Sequence, residues 1–436
     1  MTDVCYVGGA GRLGLPIALR AHQCGHHVIV ADINADLVEK INNRQRLGRM
    51  EPGVDDLLRV ADDRLEATAD IAAATCQSDL IFVIVPTPSL SNGSFSLEYV
   101  LAACVEIGKG LRGSKEKTVV IVSTTSPGDC RRQVKPVLEE NSGLVCSRDF
   151  ALIYSPEFVR QGSIIADFCT PDHLLIGIDD AIFHNPEEIS RTGYSKLHNY
   201  YSGLITKAAD SHCMSWESAE LAKLGLNSAL SLKILLAGQL TWLCQSIPHA
   251  DAWSVLASIS ADRRIGPALL KPGLWPGGPC LPRDVLALGY TSSRVGIGAA
   301  LPDGASAAIE QHQYNLASLI AQHPGKIGLL GITYKPGVDL PEGNFADRIA
   351  TMLSRWEGRS VQAIDPSGVM ISGLTHAPSI PALVTSSDIL VLLTPWPEFD
   401  NITTLDLSEK VVIDCWGMFQ GDLHCKKYIR LGDGGF

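Results

Sequence analysis

The chain opens on a strand-sized apolar run, DVCYV at 3–7, which breaks into the glycine-rich GGAGRLG at 8–14 and resumes as an apolar-periodic helix from Leu15 to about Cys24. A second strand, Val28 to Ala31, ends on Asp32. Few folds accommodate that order of strand, glycine turn, helix, strand and acid. Gly9-x-Gly11-x-x-Gly14 permits a tight turn and a close backbone approach, and the helix N-terminus faces whatever anion sits there. A glycine turn of purely structural origin is the plainer alternative; the surrounding strand–turn–helix–strand context favours a dinucleotide. Asp32 would then accept from the adenosine ribose and repel a 2′-phosphate, which favours NAD over NADP, although FAD sites use the same device.

Further strands, LIFVIV at 80–85 and VVIVST at 119–124, follow helical patterns, so a parallel sheet with right-handed crossovers is expected, and ALIYSPE at 151–157 and HLLIGI at 173–178 extend this α/β unit over residues 1–195. From Trp216 the pattern changes. SAELAKLGLNSALSLKILLAGQLTWLCQSI at 218–247 keeps helical spacing with only Gly225 and Gly238 as punctuation, and WSVLASIS at 253–260 starts another helix. Residues 205–305 therefore read as a central helical domain whose long apolar helix is a natural homodimer seam. KIGLLGITY (326–334), VQAIDP (361–366), SDILVLLTPWPEF (387–399) and KVVIDCW (410–416) supply strands, and DRIATMLSRWEG (347–358) a helix, for a second α/β unit over 320–436. The expected fold class is α/β: an N-terminal Rossmann-type domain, a helical centre and a C-terminal Rossmann-like domain.

Composition narrows the function. With 36 Lys+Arg against 47 Asp+Glu the net charge is −11, which argues against gripping nucleic-acid backbones. The twelve cysteines are scattered and include no C-x-x-C pair, so neither a metal cluster nor a disulfide framework is expected. No basic, cleavable N-terminal stretch and no uninterrupted apolar run of membrane-spanning length is present, so a cytoplasmic protein without a membrane span is expected.

Two places carry candidate chemistry. In Gly277-Gly278-Pro279-Cys280-Leu281-Pro282-Arg283-Asp284 small residues would let backbone approach a ligand, with one thiol among them and a carboxylate four residues on. A nucleophile loop and a turn with an incidental cysteine both fit that spacing. Lys223 and Asn227, four apart, share one face of the long helix and could polarise an oxygen, or could be a surface lysine and a solvated amide.

Taken together, GAGRLGLPIA (9–18), Glu51-Pro52-Gly53, VPTP (85–88), Ser-Thr at 123–124, SPEFVRQGS (155–163), AELAKLGLNSALSLK (219–233), DRRIG (262–266), GGPCLPRD (277–284) and YKPGVD (334–339) resemble the UDP-glucose/GDP-mannose dehydrogenase family of nucleotide-sugar 6-dehydrogenases along the whole chain. The resemblance implies an NAD-dependent, four-electron oxidation of a sugar C6 hydroxyl to a carboxylate. Cys280 would carry the carbon as thiohemiacetal and thioester. Lys223 and Asn227 would stabilise oxyanions, Asp284 would assist proton movement, Glu157 thioester hydrolysis, and Thr124 water and cofactor positioning. Gly9, Ala10, Gly11, Arg12, Leu13, Gly14, Asp32, Thr87, Pro88 and Thr124 would meet the cofactor. Glu157, Phe158, Lys223, Asn227, Arg264, Lys271, Gly277 and Lys335 would meet the nucleotide sugar.

The chain departs from the pattern in four places. The run after Tyr334-Lys335 reads Asp339-Leu340-Pro341-Glu342-Gly343, without the arginine usual there. Leu37, Pro276 and His173 stand where a basic residue, an aromatic or other apolar residue, and an arginine are usual. These bear on substrate identity and affinity more than on chemistry. Within the family, the cysteine loop is nearer the UDP-glucose branch than the N-acetylhexosamine branch, which commonly carries histidine before the cysteine. A two-electron β-hydroxyacid-type dehydrogenase and an idle nucleotide-sugar binder are the rival readings; NAD consumed per product separates them.

Overall fold

The computed structural model describes residues 2–48, 51–114, 116–180, 193–343, 345–357, 359–419 and 423–434, which fall into two compact units, 1–225 and 226–436.

In the first unit eight strands, β1 (Asp3–Val7), β2 (His27–Ala31), β3 (Leu65–Thr68), β4 (Leu80–Val83), β5 (Thr118–Ile121), β6 (Ala151–Tyr154), β7 (His173–Ile178) and β8 (Asp210–Ser215), form one sheet in the order β3-β2-β1-β4-β5-β6-β7-β8. β4, β5 and β6 are buried along their whole length, which is why they read as unbroken apolar runs. Alternate residues feed two cores: Val4 and Tyr6 pack into one, Cys5 and Val7 into the other. The chain runs from β1 outward to β3 and then crosses back to β4, so the ends of β1 and β4 flank the crevice where such sheets bind ligands.

The expected all-parallel sheet needs one correction. β7 pairs antiparallel to β6 through Tyr154 and Gly177. The intervening segment carries only the six-residue helix Ile164–Cys169, and Glu51 caps it by accepting from the backbone N–H groups of Gly162 and Ile164 at 2.7 and 2.8 Å. This connection stays at one end of the sheet instead of crossing it. β3, and β8 with the polar sequence DSHCMS, complete the sheet without an apolar signal of their own.

The helix Trp216–Ser246 has 31 residues, about 46 Å at the usual ~1.5 Å rise. Length and composition would let it cross a membrane, which counting uninterrupted apolar runs did not reveal, and 44% of its most apolar window is buried inside the chain. Glu220, Lys223 and Asn227 lie buried on it with protein partners, as expected of a core helix.

The second unit holds the rest of that helix, the helices Ala252–Ser260, Leu281–Arg294 and Ala300–Ala321, and a sheet of six parallel strands. These are β9 (Ile327–Leu330), β10 (Val361–Ile364), β11 (Thr375–His376), β12 (Ile389–Leu392), β13 (Leu407–Asp414) and β14 (Cys425–Arg430), ordered β11-β10-β9-β12-β13-β14. Leu235, Val285 and Leu316 of the helices share one core with Ile327, Val391 and Ile413 of the sheet. The helix expected over 347–358 spans Ala346–Glu357; Gly358, expected to end it, lies outside the described residues.

Candidate active site

The glycine turn of the first unit is held at both sides. Gly8 donates to Ala31 O at 2.8 Å, and Gly11 donates to Gly8 O at 3.1 Å. Gly8, outside the three-glycine pattern, is the member with a left-handed backbone, φ +75°, where a Cβ would stand 2.5 Å from Ile84 O. Its signal was the Gly8-Gly9 doublet. At Gly14 a Cβ would stand 2.7 Å from Gly9 Cα, so the helix can approach the turn only with glycine there. Ala10, Arg12 and Leu13 complete the loop. Thr87 and Pro88 follow β4 at the facing end of the crevice, Thr87 buried and Pro88 exposed.

Asp32 ends β2 half-buried, with Oδ2 accepting from Ala10 N at 3.1 Å and Oδ1 from Asn34 N at 3.0 Å. A carboxylate has about four acceptor positions, so capacity remains for a diol. The acid in the same place of the second unit does not have it. Asp365, 6% exposed, accepts at Oδ2 from Ile332 N, Thr333 N and Thr333 Oγ1 and at Oδ1 from Ser367 N and Ser367 Oγ. The two α/β units thus share a backbone plan, and of these two acids Asp32 accepts two hydrogen bonds from its surroundings and Asp365 five. The glycine cradle, the remaining acceptor capacity of Asp32 and the helix N-terminus fit an adenine dinucleotide.

Thr124 stands half-buried between two anchored neighbours. Ser123 Oγ donates to Val85 O at 2.7 Å and accepts from Val85 N at 3.0 Å. Thr125 Oγ1 donates to Glu220 Oε1 at 2.9 Å, and Glu220 also accepts from the N–H groups of Gly128 and Cys130. Burial pushes the Glu220 carboxyl up to about 7, against the pull of these donors. Glu220 was present in the AELAKLGLNS motif, but nothing local pointed it at Thr125.

Glu157 and Phe158 follow β6. Lys223, 8% exposed, donates from Nζ to the backbone carbonyl of Glu157 at 2.6 Å and stands 4.3 Å from the centre of the Phe158 ring. The Glu157 carboxylate accepts from Tyr201 OH at 3.1 Å. Burial raises its carboxyl to about 7, with Tyr201 and Lys223 working in the opposite direction. Tyr201, on the helix Tyr194–Leu204, carried no sequence signal. The His173 ring lies tilted against Phe158, with ring centres 4.8 Å apart. The surface-lysine alternative for Lys223 therefore fails.

In the second unit Asn227 Nδ2 donates to Asp284 Oδ2 at 2.6 Å, while Arg283 Nε donates to Oδ1 at 3.0 Å. Ser231 Oγ donates to Asn227 O at 2.8 Å. Asp284 N donates to Cys280 O at 2.9 Å, closing the first turn of the helix Leu281–Arg294. Cys280 is the N-cap residue of that helix and is exposed, after the buried stretch from Pro272 to Pro276. A helix N-terminus favours negative charge at that place. Arg264 is exposed, its guanidinium forked onto Asp262 at 3.0 and 2.7 Å, and Lys271 is also exposed. Gly277 is half-buried, and Lys335 Nζ lies 5.8 Å from the Tyr334 ring centre.

The first unit, with its doubly wound sheet, glycine turn and acid following β2, defines a dinucleotide-binding class of protein. Residues 2–196, 217–308 and 328–421 match the NAD binding, central and UDP binding domains of one family, and the chain belongs to that family, the UDP-glucose/GDP-mannose dehydrogenases. It is 30% identical to a UDP-glucose 6-dehydrogenase of Rhizobium meliloti, over 90% of this chain and 89% of that one. It is 29% identical to a GDP-mannose 6-dehydrogenase of Pseudomonas putida, over 94% and 95%. The solved UDP-glucose dehydrogenase of Pyrobaculum islandicum superposes with a TM-score of 0.87 at 27% identity, covering 99% of this chain and 98% of that one. The protein is a nucleotide-sugar dehydrogenase with NAD as its cofactor.

Proposed function

We propose that the protein oxidises the C6 hydroxyl of a nucleotide sugar, of the UDP-glucose type, to the carboxylate through a covalent intermediate on Cys280. The observation that carries this reading is Cys280, exposed at the N-terminus of a helix whose buried Asp284 is held by Asn227 and Arg283. Gly9, Ala10, Gly11 and Asp32, with Thr87, Pro88 and Thr124 across the crevice, would hold NAD, which would supply the hydride acceptor, two molecules per sugar acid.

The chain's own residues do the rest. At the aldehyde level of oxidation the Cys280 thiolate forms a C–S bond to C6, and the carbonyl oxygen takes the charge as a thiohemiacetal. The carbon is thereby retained on the enzyme. Lys223 and Asn227 stabilise the oxyanion, and Asp284 accepts or returns protons beside Asn227. At the acyl level the C–S bond breaks as water attacks the thioester, with Glu157 taking the water proton and Cys280 leaving as thiolate. Arg264, Lys271, Gly277 and Phe158 meet the sugar and its phosphates, and Lys335 the nucleotide.

Replacing Cys280 with Ser keeps volume and removes the nucleophile. Turnover should fall by about 10³-fold with the fold retained. Glu157→Gln should leave the sugar nucleotide attached to Cys280, visible as a mass increase. Near-normal sugar-acid release with two NADH per product in Cys280→Ser would sink the thioester route.

The same reading makes the active form a homodimer in a reducing, cytoplasmic compartment. On the helix Trp216–Ser246 the exposed Ala229, Leu236 and Leu243 recur every seven residues, one face of a helix seam. All twelve cysteines are free of disulfides.

A further inference from the structure

The segment that lacks the arginine usual in the family, Asp339 to Gly343, does something else in this chain. Gly343 has a left-handed backbone, φ +67°, and a Cβ there would stand 2.5 Å from Gly278 O and 2.9 Å from Gly278 N. Gly278 is itself left-handed, φ +81°, with a Cβ position 2.9 Å from the Tyr334 ring. At Gly277 a Cβ would stand 2.9 Å from Phe345 Cζ. Phe345, 2% exposed, meets the buried Trp275 edge to face at 4.6 Å between ring centres. The chain leading to Cys280 is thus pressed, backbone on backbone, against a wall made of Tyr334, Gly343 and Phe345. On the other side of Cys280 the helix Leu281–Arg294 begins, tied by the bond from Asp284 N to Cys280 O.

We infer that Gly343 is a positioning residue for the nucleophile: by seating its bare backbone on Gly278 it fixes the loop that carries Cys280, so that the exposed thiol is held between a wall and a helix end. A side chain at 343 must push the Gly277–Gly278 segment away, because the nearest atoms are backbone and cannot swing aside. The displacement passes through Pro279 to Cys280. This rests on the reading of Cys280 as nucleophile, and the thiol's own reactivity tests the positioning without any turnover.

Gly337 supplies the control. It lies in the same segment with nearly the same backbone, φ +77°, and a Cβ there meets nothing within 4 Å. Gly343→Ala and Gly337→Ala therefore share the cost of an L-residue in the left-handed region, and differ in the contact with Gly278. The experiment compares both variants with the wild-type chain. Iodoacetamide labelling of the Cys280 peptide is followed by mass spectrometry, with exposed Cys76 of the other unit as internal reference. Gly343→Ala should change the Cys280 labelling rate by tenfold or more, leave Cys76 unchanged, and lower kcat at least tenfold with the KM for NAD within twofold. Gly337→Ala should label Cys280 at the wild-type rate while losing the thermal stability that the left-handed backbone alone costs. Should Gly343→Ala fail to fold, Phe345→Leu, which removes the ring wall while staying apolar, should shift Cys280 labelling in the same direction. Equal Cys280 labelling in wild type, Gly343→Ala and Phe345→Leu overturns the inference. A labelling change in an enzyme that oxidises no nucleotide sugar would instead uphold the positioning and reject the proposed reaction.

Discussion

Asn227 donates its side-chain amide to the carboxylate of Asp284 at 2.6 Å, and Asp284 is 0% exposed. Fifty-seven residues separate them in the chain, so the bond joins the long helix to the helix that starts at the thiol. Arg283, adjacent to Asp284, fills the other oxygen. The two donors hold both oxygens of a buried carboxylate one helical turn after Cys280.

Removing the acceptor exposes the cost of that arrangement. Asp284→Ala should lower stability by about 2 kcal/mol or more, because it removes the acceptor of the buried Asn227 amide and of Arg283 Nε. Urea denaturation of both chains checks this. A difference within about 0.5 kcal/mol, the ordinary range for surface changes, would mean the contact is not structural.

Glu157, with its carboxyl raised to about 7 by burial, should impose a pH dependence on thioester hydrolysis. At pH 6 only about a tenth of the base form remains, so the hydrolytic rate should rise with pH and level off above the pKa. The folded state holds this proton more tightly than the unfolded chain. Its contribution to stability is therefore greatest below the ordinary value of 4.5 and is lost as pH rises through about 7. In Glu157→Gln both slopes should flatten in this window; single-turnover kinetics and melting curves between pH 5 and 8 measure them, and an unchanged pH profile would remove Glu157 from the hydrolytic step.

Asp32 should set cofactor choice. Its replacement by Ala removes the acceptor for the ribose diol and the bond from Ala10 N. NAD affinity should fall about tenfold or more, and the discrimination against NADP should shrink, as loss of a charge-assisted acceptor implies. Calorimetric titration with both nucleotides gives the ratio. Tighter NADP than NAD binding by the wild-type chain would contradict the assignment.

Leu236 and Leu243, 49% and 46% exposed, lie seven residues apart on one face of the long helix. Introducing Leu236→Glu together with Leu243→Glu should weaken self-association by about 10²-fold or more, since the seam would have to bury unpaired carboxylates. Light scattering at micromolar concentration should report a dimer for the wild-type chain and a monomer for the double variant. A monomeric wild type with full activity would rule out the seam.

Much of the candidate site was legible in contiguous residues. Lys223 and Asn227 were readable as a pair because helical period puts them one turn apart, and Cys280 because small residues around a thiol are conspicuous in the chain. Both readings left a bland alternative, and burial decided against it for Lys223. Tyr201, which holds Glu157, and Glu220, which holds the Thr125 end of the loop beside Thr124, gave no such signal. Their partners lie 44 and 95 residues away, and a tyrosine or glutamate inside a helix looks the same whether or not it meets one.

By itself the sequence determined the glycine turn, the acid at the end of β2, the long helix and the thiol loop, because each is written in backbone conformations and periodicities that neighbouring residues enforce. Tertiary structure alone decided that β7 runs against β6, that Asp365 is saturated by Ile332 and Thr333 from another strand end while Asp32 is not, and that Gly343 rests on Gly278. Those outcomes depend on which distant segments come into contact, and hydrogen-bond saturation and close packing exist only once they have.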